Sequence, residues 1–296
     1  MRAGAVVEAK FTKQWVAGRS GIVKLPDGSE ALLQPLPKGL SEGAPVRATI
    51  VREAIQERHG QYKRAKAKPA AGDLDLNDGA TLLEEILSSG LSVKELHPHE
   101  VDQLGEYGWH EALEQAETGR VEFDGGSLLI DSTSAMTVID VDGPLLPVEL
   151  AKRAAKEIAL ALNRLDISGN IGVDFPTLGM KSDRSAVGQI FDDNMIGDCE
   201  RTAINGFGFM QIVSRKIRPS ILEIVQTNRA TNLALQFLRQ AERDRGTGAM
   251  RLSVHPAIAN KLNAGLIDEL GRRTGRTVTV EEIGNLPLDG GQIDSI

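Results

Sequence analysis

A strand–helix–strand pattern between residues 137 and 174 constrains the fold of this chain more than any other feature. An apolar strand ends in Val138–Gly143, an amphipathic helix is predicted over Pro147–Leu165, and a second apolar strand, NIGVDF, follows at 170–175. The helix is predicted because apolar residues recur on one face, namely Leu150, Ala154, Ile158, Leu162 and Leu165. The pattern predicts an α/β body in which the two strands are neighbours.

Both of these strands end in carboxylates. Asp140 and Asp142 are two residues apart, so they lie on the same side of their strand, and Asp174 ends the second strand. If the strands are adjacent, the three acids converge with no basic residue between them. Such a cluster favours Mg²⁺, which prefers few carboxylates together with waters and phosphate oxygens. The alternative interpretation is that these acids form turns or cap helices.

The first 70 residues have a different pattern. Residues 5–51 contain about five short β segments separated by turns such as Pro26-Asp27-Gly28-Ser29, which predicts a small barrel of the OB type. The Ala-, Pro- and Gly-rich stretch 66–79 is predicted to be a linker, and 80–118 to be largely helical and acidic. The predicted domains are therefore 1–70 (barrel), 71–101 (linker and acidic helical segment) and 102–296 (α/β body).

Charge is distributed unequally between these parts. Residues 1–70 hold 13 of the 34 Lys and Arg residues but only 6 of the 41 Asp and Glu residues. A basic module attached to an acidic body fits a domain that holds a polyanion beside one that uses carboxylates. The basic run Lys63, Arg64, Lys66 and Lys68 beside Tyr62 is typical of phosphate contacts next to a stacking ring, although a solvated charged surface would have the same composition.

Composition excludes several classes of protein. Hydrophobic residues make up 41% and charged residues 25%, which excludes wholesale disorder. The single cysteine, Cys199, forbids an intramolecular disulfide and a multi-cysteine zinc site. There is no apolar run of about 18 residues and no signal-peptide core at the N-terminus, so we expect a cytoplasmic protein with no membrane partner.

One short resemblance is to the haloacid-dehalogenase phosphatases. A hydrophobic strand ending in Asp140-Val141-Asp142-Gly143 is similar to the nucleophile strand of that family, and Ile196-Gly197-Asp198 imitates its later metal motif. In that family the Asp-x-Asp strand usually starts the fold, whereas about 120 residues precede it here, and no convincing strand-end Ser or Thr with an isolated Lys follows. A phosphatase is therefore the second alternative.

A longer resemblance is to the ribonuclease E/G family of bacterial endoribonucleases. The block Gly125–Thr133 followed by Ala135–Val141 resembles that family's Gly-Gly-x-apolar-Ile-Asp-x-Thr-Glu-Ala block and the apolar Ile-Asp strand after it. Further pieces follow in family order: Gly172-Val173-Asp174-Phe175, Phe207-Gly208, Ser214-Arg215 and Arg218-Pro219-Ser220. The similarity extends over roughly 102–285, and it is most specific at 122–142.

The chain also departs from the family pattern. Asp142 stands where the family has Asn, and no Cys-Pro-x-Cys zinc link follows Ser220. The segment between the basic module and residue 102 is too short and too acidic for the family's 5′-end sensor. We therefore expect a short form of the family, without the zinc link and without end-sensing.

The resemblance implies a nuclease body that cleaves single-stranded RNA with Mg²⁺, in RNA processing or decay. It implies that Asp140 and Asp174 hold the metal, with Asp142 as a further ligand or an orienting group. The predicted RNA-binding residues are Lys63, Arg64, Arg201, Arg215 and Arg218. The alternative within the family is an RNA-binding protein that has lost catalysis through the Asn-to-Asp change. The sequence leaves the oligomeric state and the RNA target open.

Overall fold

The computed structural model describes residues 1–57, 60, 62–72, 74–97 and 100–296. Within these residues, two units are compact: one combines Met1–Val93 with Glu111–Thr227, and the other combines Lys94–His110 with Asn228–Ile296. The elements in chain order are β1 (Val6–Val16), β2 (Ser20–Lys24), β3 (Glu30–Leu33), β4 (Pro45–Arg52), β5 (Ile55–Gln56), β6 (Tyr62–Lys63), β7 (Ala65–Pro69), α1 (Leu82–Ser88), α2 (Gln103–Glu106), α3 (Trp109–Thr118), β8 (Arg120–Phe123), β9 (Gly126–Ser132), β10 (Thr137–Asp142), α4 (Pro147–Arg164), β11 (Asn170–Asp174), α5 (Lys181–Asn194), β12 (Cys199–Arg201), β13 (Phe209–Ser214), α6 (Ile221–Thr227), α7 (Arg229–Glu242), β14 (Met250–Val254), α8 (Pro256–Ala259), α9 (Ala264–Thr274), β15 (Val278–Glu282) and β16 (Gln292–Ser295).

The strand–helix–strand unit predicted from the sequence forms the centre of a six-stranded sheet with the order β12-β13-β11-β10-β9-β8. β10 and β11 pair in parallel and α4 connects them, while their outer neighbours β9 and β13 are antiparallel. A parallel pair needs a crossover of a dozen or more residues, and α4 supplies it. The mixed α/β fold is therefore confirmed.

The helix-covered face of this sheet contains the larger hydrophobic core. Ile139 and Val173 are fully buried there, together with Ala154 and Ile158 of α4 and Phe191 of α5. Because side chains alternate along a strand, the residues between them, including Asp140 and Asp174, lie on the opposite face. We call that opposite face the open face.

The N-terminal strands close into a barrel with the order β1-β2-β3-β7-β4. Small and branched side chains such as Val23, Leu33 and Ala48 fill its interior. This closed five-stranded barrel confirms the OB-like module. The predicted linker over 66–79 is wrong at its start, because β7 pairs with both β3 and β4 and completes the barrel.

The error arose from the composition of β7. Its sequence, Ala-Lys-Ala-Lys-Pro, resembles a basic linker, but Ala65 and Ala67 are buried while Lys66 and Lys68 are exposed. This is the period of a strand with one face in a barrel, in which alanine suits a narrow interior. The division of the chain into domains 1–70, 71–101 and 102–296 stays a prediction.

The sequence also left other strands unassigned. β12, β13 and β16 have three to six residues each and lack a clear alternation in the sequence. By contrast, the long periodic helix predicted at 147–165 is confirmed as α4.

The second compact unit has a three-stranded sheet with the order β15-β14-β16, packed with α7, α8 and α9. Phe237, Leu252 and Leu270 belong to its core. Asp102 caps α2 by accepting the backbone N–H of Gly105, which lowers the pKa of the Asp102 carboxyl.

In the described part of the chain, no helix combines the length and the apolar character that crossing a bilayer requires.

The position of Ile158 provides a test of this fold. Ile158 is 0% exposed between the helix and the sheet, so Ile158→Ala should lower the free energy of unfolding by about 2–5 kcal/mol. Lys156→Ala, on the exposed side of the same helix, should change it by no more than about 0.5 kcal/mol. Urea unfolding followed by circular dichroism measures both, and similar values for the two variants would contradict the assignment of the buried face.

Candidate active site on the open face of the sheet

Asp140 and Asp174 are direct partners in the parallel pairing of β10 and β11. Neighbouring strands are about 4.8 Å apart, and paired residues share a face, so the two carboxylates are side by side on the open face. Both are exposed. Among the described residues, neither carboxylate has a hydrogen bond or an ion pair, so two like charges lie together without a protein cation.

Asp142 is on the same face, two residues beyond Asp140, and its Oδ1 accepts the backbone N–H of Gly143 at 2.9 Å. Gly143 follows at a point of close packing, because a Cβ on it would lie 2.6 Å from the carbonyl oxygen of Gly125. The strand end that carries the acids is thereby fixed against the β8–β9 turn.

The two carboxylates of Asp140 and Asp174 fit a hard divalent cation in number and chemistry. Across the residues that the structure describes, no group of three or more His, Cys, Asp and Glu side chains is close enough to enclose a metal ion. Asp140 and Asp174 are instead a two-carboxylate pair. Mg²⁺ is commonly bound in this way, by one or two carboxylates with the remaining positions left to waters and substrate phosphates.

Polar side chains continue along the open face. Gln211 of β13 is opposite Gly172 of β11, and its Nε2 donates to Oδ1 of Asn170 at 2.8 Å. Phe209 is opposite Asp174. Gln211 and Phe209 could not be placed on this face from the sequence, because β13 itself was not predicted.

The structure does not bring Arg201 to this face. Arg201 is opposite Ile212, whose side chain is buried, so the guanidinium lies on the helix-covered side of the sheet. There it donates two hydrogen bonds to Asp192 of α5 at 2.7 and 2.6 Å, which raises the pKa of Arg201. The alternation of a three-residue strand could not be assigned from the sequence.

Arg218 is also engaged by the protein. Its Nε donates to Asp166 at 2.7 Å and its Nη1 donates to Glu85 at 2.8 Å, and these bonds raise the pKa of Arg218. Arg215 is different, because it is exposed just after β13 and is not bound to a carboxylate. Arg215 lies six residues beyond Phe209, the partner of Asp174. Along the strand direction it is therefore about 20 Å from Asp174.

The basic residues of the barrel remain at its surface. Lys63 pairs with Glu57 and also donates to the carbonyl oxygen of Ser134, in the β9–β10 turn, at 2.8 Å. Arg64 pairs with Glu30, and its guanidinium carbon is 5.6 Å from the ring centroid of Trp15.

Trp15 is a residue that the sequence reasoning missed. Its ring is 57% exposed, close to the 55% of Tyr62. An aromatic residue among the polar residues at the end of β1 was the signal that could have identified it, because a nucleobase can stack on an exposed ring.

Comparison with known proteins bears on the segment that contains the carboxylates. A sequence model described as Ribonuclease E/G family matches residues 75–217. The chain is also 30% identical, over 144 residues, to the Ribonuclease E/G-like protein, chloroplastic, of Arabidopsis thaliana. That stretch covers 43% of this chain but only 14% of the relative.

The family match includes Asp140, Asp142 and Asp174 and ends one residue before Arg218. The resemblance of the segment from 218 to 285 stays a prediction. Within its bounds, however, the match agrees with the blocks that indicated the family from the sequence. Residues 75–217 of this chain therefore resemble the ribonuclease E/G family both in these blocks and in the family match.

Proposed function

We propose that this chain is a Mg²⁺-dependent endoribonuclease that cleaves single-stranded RNA in RNA processing or decay. The observation that supports this most directly is the adjacent pair of exposed carboxylates, Asp140 and Asp174, within the family segment. Two adjacent carboxylates without a protein cation are suited to a metal ion, and phosphodiester cleavage is a reaction that such an ion assists.

In this proposal Asp140 and Asp174 hold the ion, and Asp142 orients the ligands around it. When bound, Mg²⁺ supplies a Lewis acid that activates water and stabilises charge on the scissile phosphate. The protein contributes the fixed spacing of the two carboxylates, which follows from the register of β10 and β11. A fixed spacing avoids the entropic cost of assembling the site for each substrate.

The RNA would extend from the carboxylates toward the barrel. Lys63 contacts the β9–β10 turn, and the backbone N–H of Glu53 donates to the carbonyl oxygen of Ile217 at 2.8 Å. The barrel therefore adjoins the end of the sheet at which Arg215 lies. A strand of RNA on the open face would pass Arg215 and reach Arg64 and Lys63. Arg201 lies on the other side of the sheet, and Arg218 would first have to leave its carboxylates.

The alternative of an inactive RNA-binding protein rests on Asp142, which replaces the family's Asn. In the structure Asp142 accepts a backbone hydrogen bond, which Asn could also accept, so the local conformation does not require the change. The phosphatase alternative is not proposed, because its Asp-x-Asp strand lies inside the segment that matches the ribonuclease E/G family.

Neutralising either paired carboxylate should abolish cleavage. Asp140→Asn and Asp174→Asn each remove a metal ligand without removing core volume, so we expect the rate to fall by at least about 10³-fold with the fold intact. A labelled single-stranded RNA in Mg²⁺ measures this. Asp198→Asn is the matched control, since Asp198 is exposed and belongs to the motif that imitates the phosphatases.

Wild-type cleavage by either Asp140→Asn or Asp174→Asn would reject the assignment of the metal ligands. RNA binding by the wild type without any cleavage would favour the inactive RNA-binding alternative. Loss of activity in Asp198→Asn alone would return the phosphatase motif to consideration.

Mg²⁺ should also stabilise the folded protein through the same pair. At ten times its dissociation constant, an ion that binds only the native state adds about 1.4 kcal/mol, which corresponds to about 3–5 °C in Tm. We expect this increase for the wild type and not for Asp174→Asn. In EDTA, Asp174→Asn should be at least as stable as the wild type, because one of two adjacent like charges is gone. Equal Mg²⁺ effects on both proteins would place the ion elsewhere.

The barrel should contribute through phosphate contacts. Lys66→Ala with Lys68→Ala removes two exposed charges of β7 without touching the barrel interior. RNA affinity should fall, and the dependence of log K on log salt should flatten by about 1.4, at roughly 0.7 for each lost contact with a single strand. Fluorescence anisotropy at several salt concentrations measures the slope, with Lys156→Ala as the control. An unchanged slope would mean that β7 does not contact RNA.

A further inference from the structure

An exposed phenylalanine is held on a tight turn beside the paired carboxylates. Phe207 is 86% exposed, which makes it one of the two most exposed large apolar or aromatic residues among those that the structure describes. It lies in the turn before β13, whose first residue, Phe209, is the direct partner of Asp174. Covering this ring with a ligand would be favourable, because it would remove apolar surface from water.

The turn that carries Phe207 is fixed by hydrogen bonds. Oδ1 of Asn205 accepts the backbone N–H groups of Phe207 and Phe209 at 2.9 and 3.1 Å. The N–H of Gly208 donates to the carbonyl oxygen of Asn205 at 3.2 Å. Phe207 therefore does not lie on a loosely tethered loop, and its backbone is preorganised.

Gly208 connects this turn to the strand that ends in Asp174. Its carbonyl oxygen accepts the N–H of Phe175 at 3.1 Å. Its φ is +99°, and a Cβ on it would lie 2.1 Å from the carbonyl oxygen of Phe175. Only glycine allows this approach, which sets the backbone beside Phe207 against the residue that follows Asp174.

The neighbouring ring belongs to the same surface. Phe209 is opposite Asp174, and its ring lies over Gly172, because a Cβ on Gly172 would be 2.8 Å from Cζ of Phe209. Phe209 is thus packed onto the sheet, whereas Phe207 remains almost fully exposed. One ring is fixed by packing next to the carboxylates, and the other is available to a ligand.

We propose that Phe207 is a stacking site for a nucleobase of single-stranded RNA next to the scissile phosphate. This inference rests on the proposed function, since it places the base beside the metal-binding carboxylates. Stacking on an aromatic ring is available to every base and does not need the base edges, so Phe207 would position the strand without selecting its sequence. A ring on a fixed turn loses little entropy when the base binds.

The test is equilibrium binding of a fluorescein-labelled ten-nucleotide oligoadenylate to the full chain in EDTA, where no cleavage occurs. Phe207→Ala should weaken binding about tenfold, and Phe207→Trp should restore it. Because Phe207 packs against little, neither change should alter the thermal melt. Tyr107→Ala is the matched control, since Tyr107 is also 86% exposed but belongs to the other compact unit.

A second ligand separates stacking from other effects. An oligomer of the same length with abasic positions in place of the bases should bind wild type and Phe207→Ala equally, because it has no ring to stack. In Mg²⁺, Phe207→Ala should raise KM for cleavage of the oligoadenylate and leave kcat within about twofold, as expected when substrate and transition state lose the same interaction.

Each other outcome overturns the inference. Unchanged oligoadenylate affinity in Phe207→Ala, with normal wild-type binding, rejects the stacking site and leaves the proposed nuclease function standing. Equal weakening for the abasic oligomer shows that the ring acts on something other than a base. Failure of the wild type to bind either oligomer rejects both the stacking site and the proposed function.

Discussion

The parallel pairing of β10 with β11 is the constraint on which the remaining features depend. It exists because α4 carries the chain back over one face of the sheet and buries an apolar stripe that includes Ile158. Burial of that stripe fixes which face of each strand is covered, and the opposite face is then left to the acids. A shift of one residue in either strand would move Asp140 or Asp174 to the covered side, so core packing and the site are specified together.

Two arginines of the acidic α/β body are paired with its carboxylates. Arg201 and Arg218 are bound to Asp192, Asp166 and Glu85. The body therefore satisfies its carboxylates internally in several places, while the paired acids of the open face are left without such partners. An acidic body of this kind repels a polyanion, so in the proposed function the long-range attraction of RNA is assigned to the basic barrel and to a cation at the paired carboxylates.

A feature could be predicted from the sequence when a pattern over many neighbouring residues specifies it, and not when it depends on a short segment or on distant residues. The helix at 147–165 and the strands around it could be predicted because the apolar period repeats over many residues, and this also placed Asp140 and Asp174 together. The side of the sheet on which Arg201 lies could not be predicted, because a strand of three residues is too short to show an alternation of apolar and polar side chains. The pairing of β7 with β3 and β4 could not either, because alanines in a narrow barrel give a weak hydrophobic signal. The partners of Arg218 are more than 50 residues away in sequence, and no local pattern specifies them.

The second compact unit has a consequence for synthesis of the chain. It combines Lys94–His110 with Asn228–Ile296, and the hydrogen bond from Arg239 to Asp102 joins these two parts. Residues 94–110 leave the ribosome more than a hundred residues before their partners do. The unit that contains the barrel and the six-stranded sheet is complete at residue 227, so it can fold first, as N-terminal parts commonly do. Until residues 228–296 emerge, the core of the second unit cannot form, because Phe237, Leu252 and Leu270 all belong to that later part of the chain.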